Sequence, residues 1–72
     1  MKNLDLGEKI MIYRKRAGLK QYELAKKAYI TPLTLVRIEN NRTSPHSSTL
    51  AVIADALGVS VDELKGEGHE NI

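Results

Sequence analysis

QYELAKKAYITPLTLVRIEN, residues 21–40, decides how the whole chain is read. It divides into two short helical patterns joined by a tight turn. Ile30-Thr31-Pro32 is the sharpest boundary: Thr31 can cap a helix, Pro32 suits its first position, and Ile30 can staple onto Leu35. At about 100° per residue, Leu35 and Ile38 fall on one side of the second helix, and Leu33, Val36, Arg37 and Asn40 fall on the other. Leu24, Ala28, Ile30, Leu35 and Ile38 thus supply an apolar seam. Gln21, Tyr22, Lys26, Lys27, Leu33, Val36 and Arg37 point elsewhere, and function is expected among them.

Toward the N-terminus, Asp5-Leu6-Gly7-Glu8 has the D-x-x-E form of a helix start. Leu6, Ile10, Tyr13 and Ala17 follow at helical spacing, and Gly18 is a natural left-handed stop, so a helix is predicted over residues 6–17. Lys20 stands where a Ser, Thr or Asp cap is wanted before Gln21; Glu23 offsets this only in part, and a frayed or solvent-capped start is expected. Toward the C-terminus, Asn41 suits a left-handed C-cap and Arg42-Thr43-Ser44-Pro45 has loop chemistry. Leu50, Ile53, Ala54 and Leu57 predict a fourth helix, with Ser47 or Ser48 near its start and Gly58 closing it. Ser60-Val61-Asp62-Glu63 is a capping box for a short fifth helix ending near Lys65, with Val59 placed to staple onto Leu64. Residues 1–65 are expected to form one all-α domain and residues 66–72, GEGHENI, a disordered tail.

A chain of 72 residues has room for one small core, near the lower limit for independent folding. Without Cys it has no disulfide, no thiolate nucleophile and no cysteine zinc site. No apolar run reaches the ~20 residues that span a bilayer, and Asp5 and Glu8 spoil a signal-peptide reading, so a cytoplasmic location is expected. Net charge is unevenly spread. Residues 1–61 carry ten Lys/Arg against five Asp/Glu, a balance of +5, and residues 62–72 carry one Lys against four acids, a balance of −3. Such an asymmetry suggests a polyanion partner, although a solvated basic surface gives the same count. His46 and His69 form no H-E-x-x-H array, and Ser47, Ser48 and Asp55 have no evident triad partners. No enzyme activity, metal site or cofactor is expected.

Two helices joined by a turn of three to four residues, the second capped and displaying a non-core face, make the helix-turn-helix arrangement. Here the chain resembles the Cro/C1-type helix-turn-helix family, also called the Xre family, of phage repressors and small bacterial regulators. The likeness runs from Leu6 to Leu64 as LGEKI, YRKRAGLKQYELAKKA, TLVRIENNRTSP and LAVIADALGVSVDEL. It implies a compact five-helix, lambda-repressor-like domain that binds double-stranded DNA as a transcriptional regulator, with helix 3 in the major groove. In that family the residue matching Gln21, with Tyr22 beside it, contacts phosphate, and those matching Thr31, Pro32, Leu33 and Thr34 approach the groove. Val36 and Arg37 fall at base-reading positions, and the loop with Asn41, Arg42 and Thr43 follows the backbone. The likeness also implies an ion pair of Arg14 with Glu39 and a homodimer through the C-terminal helices, with Val59 and Val61 at the interface.

Physical chemistry supports part of this assignment independently. Residues 14–42 hold eight Lys/Arg against two Glu, helix N-termini suit phosphate oxygens, and an Arg fork matches guanine O6 and N7. Three departures from the family pattern stand out. Tyr29 occupies a turn position that often holds Gly; its ring is expected over the core edge, with a DNA-backbone contact as the alternative. Asn41 replaces another frequent Gly at little cost. Pro32, Leu33 and Val36 are apolar where groove-facing residues are often polar. They suit thymine methyls, or alternatively a protein partner on a repurposed helix-turn-helix.

Overall fold

The computed structural model describes residues 4–66, whose regular elements are five helices: α1 (Leu6–Arg16), α2 (Gln21–Lys27), α3 (Pro32–Glu39), α4 (Ser47–Leu57) and α5 (Val61–Lys65). The expectation for residues 67–72, His69 included, lies outside the described residues. None of these helices is long and apolar enough to cross a membrane.

Local chemistry explains most boundaries. Each helix is followed by one residue of positive φ: Gly18, Tyr29, Asn41, Gly58 and Gly66. After α1 the Gly18 amide donates to the Lys15 carbonyl and the Leu19 amide to that of Arg14, closing the last turn. Thr31 Oγ1 accepts the Thr34 amide at 3.2 Å, with Pro32 at the first helical position of α3. Ser60 and Glu63 form a reciprocal box, with Ser60 N–H to Glu63 Oε1 at 2.9 Å and Glu63 N–H to Ser60 Oγ at 3.0 Å.

At the start of α2 Glu23 Oε1 accepts the Lys20 amide at 2.7 Å, which is the Glu half of a capping box, while the Lys20 side chain caps nothing, so the offset is partial as expected. Helix α1 stops at Arg16, and Ala17, expected in the core, is the exposed residue that closes it. Helix α4 begins at Ser47, as expected, after His46, whose side chain makes no cap.

The core is built from Ile10 of α1, Leu24, Ala25 and Ala28 of α2 and its end, Leu35 and Ile38 of α3, Leu50, Ile53 and Ala54 of α4, and Leu64 of α5. Ile30, expected in the seam, is partly buried and packs against this cluster. The small Ala25 and Ala28 let α3 and α4 approach α2 closely. Gly7 does the same where α1 meets the end of α3: a Cβ there would collide with the Ile38 and Glu39 carbonyl oxygens and lie 2.7 Å from Asn41 Oδ1. Asn41 fastens this junction, accepting the Gly7 amide at 3.1 Å and donating to Asp5 Oδ2 at 3.2 Å.

Candidate nucleic-acid interface

Helix α3 is anchored through Leu35, Ile38 and Glu39, all buried, and that anchoring decides which side chains face outward. Pro32, Leu33 and Arg37 are exposed, while Thr34 and Val36 are half-buried. Leu33 stands out, with 57% of its surface exposed despite being aliphatic. Arg37 has no hydrogen-bond or ion-pair partner among the described residues. The Thr31 and Thr34 hydroxyls lie 2.8 Å apart. One hydroxyl proton fills that bond, so the other remains for an outside acceptor whichever Thr donates.

Beneath this face lies a buried polar cluster. Arg14 is 7% exposed and Glu39 3%. Arg14 Nε donates to Glu39 Oε2 at 2.7 Å, Nη2 to Oε1 at 3.3 Å, and Nη1 to the Leu19 carbonyl at 2.9 Å. The fork thus spans α1, the α1–α2 loop and α3. Gln21 Nε2 adds a third donor to the carboxylate, reaching Oε1 at 2.9 Å. That bond ties the first residue of α2 to the last of α3 and fixes the two helices' relative placement. It also uses one Gln21 amide proton, leaving the second for an acceptor outside the cluster. The residue spacing alone gave no sign that Gln21 would join the ion pair.

Electrostatics follow from that burial. With Arg14 and Glu39 paired inside, residues 14–42 retain Lys15, Arg16, Lys20, Lys26, Lys27, Arg37 and Arg42 exposed, against the half-buried Glu23. Tyr22, Asn41, Arg42 and Thr43 are exposed beside them, although the Asn41 side chain is held by Gly7 and Asp5. Tyr29 adopts φ 59° with 89% of its surface exposed, so its ring does not cover the core edge as expected. Val59 and Val61 are half-buried and pack against their own core.

A concavity of about 350 Å³ lies between α1 and α5 and is lined by Leu4, Lys9, Ile12, Tyr13, Arg16, Asp62 and Glu63, with no residue from α2 or α3. Among the described residues no group of His, Cys, Asp or Glu is placed to hold a metal ion.

A family model described as helix-turn-helix matches residues 10–64. The immunity repressor protein of Bacillus phage phi105 is 39% identical over 64 residues, covering 89% of this chain and 44% of that protein. The HTH-type transcriptional regulator SinR of Bacillus subtilis (strain 168) is 39% identical over 66 residues, covering 90% of this chain and 60% of SinR. The chain thus spans about half the length of these relatives. Among solved structures, the P22 c2 repressor protein in complex with synthetic operator 9T superimposes with a TM-score of 0.85 at 26% identity, covering 92% of this chain and all of that one.

Proposed function

The chain belongs to the Cro/C1-type helix-turn-helix family, and from that premise we propose that it is a sequence-specific DNA-binding transcriptional regulator, a repressor that presents α3 to the major groove. The observation that carries this reading is the α2–α3 unit itself: an outward face of Pro32, Leu33, Val36 and Arg37, fixed from beneath by Glu39 and accompanied by six further exposed cations between residues 15 and 42. Gln21, Tyr22, Thr43 and Arg42, with the amides at the start of α3, position the domain on phosphates. Thr31 and Thr34 offer their spare hydroxyl proton at the groove edge. Arg37 supplies the hydrogen-bonded base contact, directed at guanine.

A homodimer on an inverted-repeat operator accompanies this proposal, since a two-fold pair of domains reads half-sites about one helical turn apart. Its partner is proposed to dock along α5, beside Val59 and Val61. The protein acts in the cytoplasm and without a cofactor.

The exposed Tyr22, Tyr29 and Leu33 favour a second reading, in which the same unit docks another protein. A salt titration on random duplex DNA separates the two. A DNA binder loses affinity steeply as salt rises, with a log–log slope reporting several released counterions. Absence of binding even at low salt transfers the assignment to the protein-docking reading.

A further inference from the structure

Resting on the DNA-binding reading, we propose that the outer face of α3 recognises a 5-methylpyrimidine followed by guanine. Thymine–guanine and 5-methylcytosine–guanine steps are then bound alike, and unmethylated cytosine–guanine steps are discriminated against.

Arg37 is the guanine-reading half. Apart from Glu39, α3 carries no acid, and the Glu39 carboxylate is buried and saturated by Arg14 and Gln21. Nothing on the helix therefore captures the Arg37 guanidinium, which stays exposed and free to fork onto guanine O6 and N7. Leu33 lies one turn before Arg37, at i, i+4, so the Arg stem and the exposed Leu33 side chain share one strip of the helix, with the half-buried Val36 three residues from Leu33 on its other side.

That strip reads methyl groups by exclusion of other chemistry. From Pro32 to Arg37 the exposed side chains are those of Pro32, Leu33 and Arg37, and none offers a hydrogen-bond acceptor. Pro32, Leu33 and Arg37 carry no acceptor with which to read cytosine N4 or adenine N6, the nearest hydroxyls being those of Thr31 and Thr34 at the helix start, so an N4 amino group facing the strip stays hydrated and is not read, in cytosine and 5-methylcytosine alike. What an aliphatic surface can distinguish there is the presence of a group at pyrimidine C5. The C5 methyl of a base 5′ to guanine stands one stacking step, about 3.4 Å, from the guanine edge. A guanidinium in the guanine plane meets that methyl on its flat face, and Leu33 covers it from the turn above. Thymine and 5-methylcytosine carry the same methyl at the same carbon, so the face treats them as one ligand.

The test uses the full chain and the tightest duplex selected from a random DNA library. That duplex is synthesised with thymine, uracil, cytosine or 5-methylcytosine 5′ to the Arg37-contacted guanine. Thymine and 5-methylcytosine should bind within about twofold of each other, whereas uracil and cytosine should be weaker by about fourfold per half-site and on the order of fifteenfold for a two-fold site, the value of one buried methyl each time. Leu33→Ala should bring the thymine/uracil ratio toward one while preference for the guanine persists. A selected site lacking a 5-methylpyrimidine–guanine step overturns the inference, as do equal affinities for thymine and uracil. Salt-dependent duplex binding would survive both results, leaving the DNA-binding reading intact. Failure to bind any duplex at low salt would remove both.

Discussion

Glu39→Ala tests the polar cluster that holds the helix-turn-helix together. The substitution deletes the acceptor of three donors, Arg14 Nε and Nη2 and Gln21 Nε2, but leaves Arg14 buried with only the Leu19 carbonyl for company. An uncompensated buried charge costs about 3–5 kcal/mol. At about 0.05–0.15 kcal/mol per residue, a chain of this size holds only ~4–11 kcal/mol in all. The melting temperature should therefore fall by at least ~12 °C, since each kcal/mol shifts a domain of this size by about 4–8 °C. The Arg14→Met, Glu39→Leu double variant removes both charges and fills the space with apolar atoms. It should recover most of the loss, as replaced buried pairs often do. Thermal and urea unfolding of parent, Arg14→Met, Glu39→Leu and the double variant, followed by far-UV circular dichroism, closes a double-mutant cycle. A Glu39→Ala protein melting within a few degrees of the parent would refute the reasoning, as would a double variant no more stable than either single one.

Four further outcomes follow from particular contacts. Tyr29→Gly should stabilise the fold by roughly 0.5–1 kcal/mol, because the left-handed backbone strain outweighs glycine's added chain entropy and the exposed ring packs on nothing; a lower melting temperature would show that the ring holds the turn. Asn41→Gly, at the other positive-φ side chain, should act in the opposite direction and cost on the order of 1 kcal/mol through the lost bonds to Gly7 and Asp5, so equal melting curves would count against that junction. Gly7→Ala improves helix propensity yet should destabilise by about 1–3 kcal/mol, since the Ile38 and Glu39 carbonyls cannot yield to a methyl; calorimetry showing a gain would exclude the close approach. Arg37→Ala should leave the melting temperature unchanged while costing roughly 1–3 kcal/mol of operator affinity and relaxing preference for guanine; equal losses on all sequences would make Arg37 a phosphate contact.

Features written within four residues were the legible ones. The Thr31-Pro32 start of α3, the Ser60–Glu63 box and the Gly58 stop each depend on neighbours in sequence, and all appear where local chemistry places them. The five-helix architecture followed from those signals combined with the apolar spacing, and the family from the resemblance of the motifs between Leu6 and Leu64. Long-range contacts were less accessible. Asn41 reads locally as a left-handed cap, yet its side chain serves Asp5 and Gly7, 36 and 34 positions away. Gln21 reads as a phosphate contact, and no spacing rule reveals that Glu39 takes one of its protons. Tyr29 was misjudged because a large ring suggests packing, whereas the backbone sign at that position swings it into solvent. The Lys20 start was legible too, because Glu23 lies three residues on and accepts the Lys20 amide.

Helix α3 keeps its duties on separate sides: Leu35, Ile38 and Glu39 anchor it, and Pro32, Leu33 and Arg37 face outward without internal partners. Substitutions at the outward positions thus meet little resistance from folding, so on the proposed reading descendants of this chain are free to drift from one operator to another through intermediates that all remain folded. Gln21 and Glu39 do not share that freedom, because a change in either alters how every outward residue is presented. The scaffold can be altered one exposed side chain at a time while its grip on α3 stays fixed.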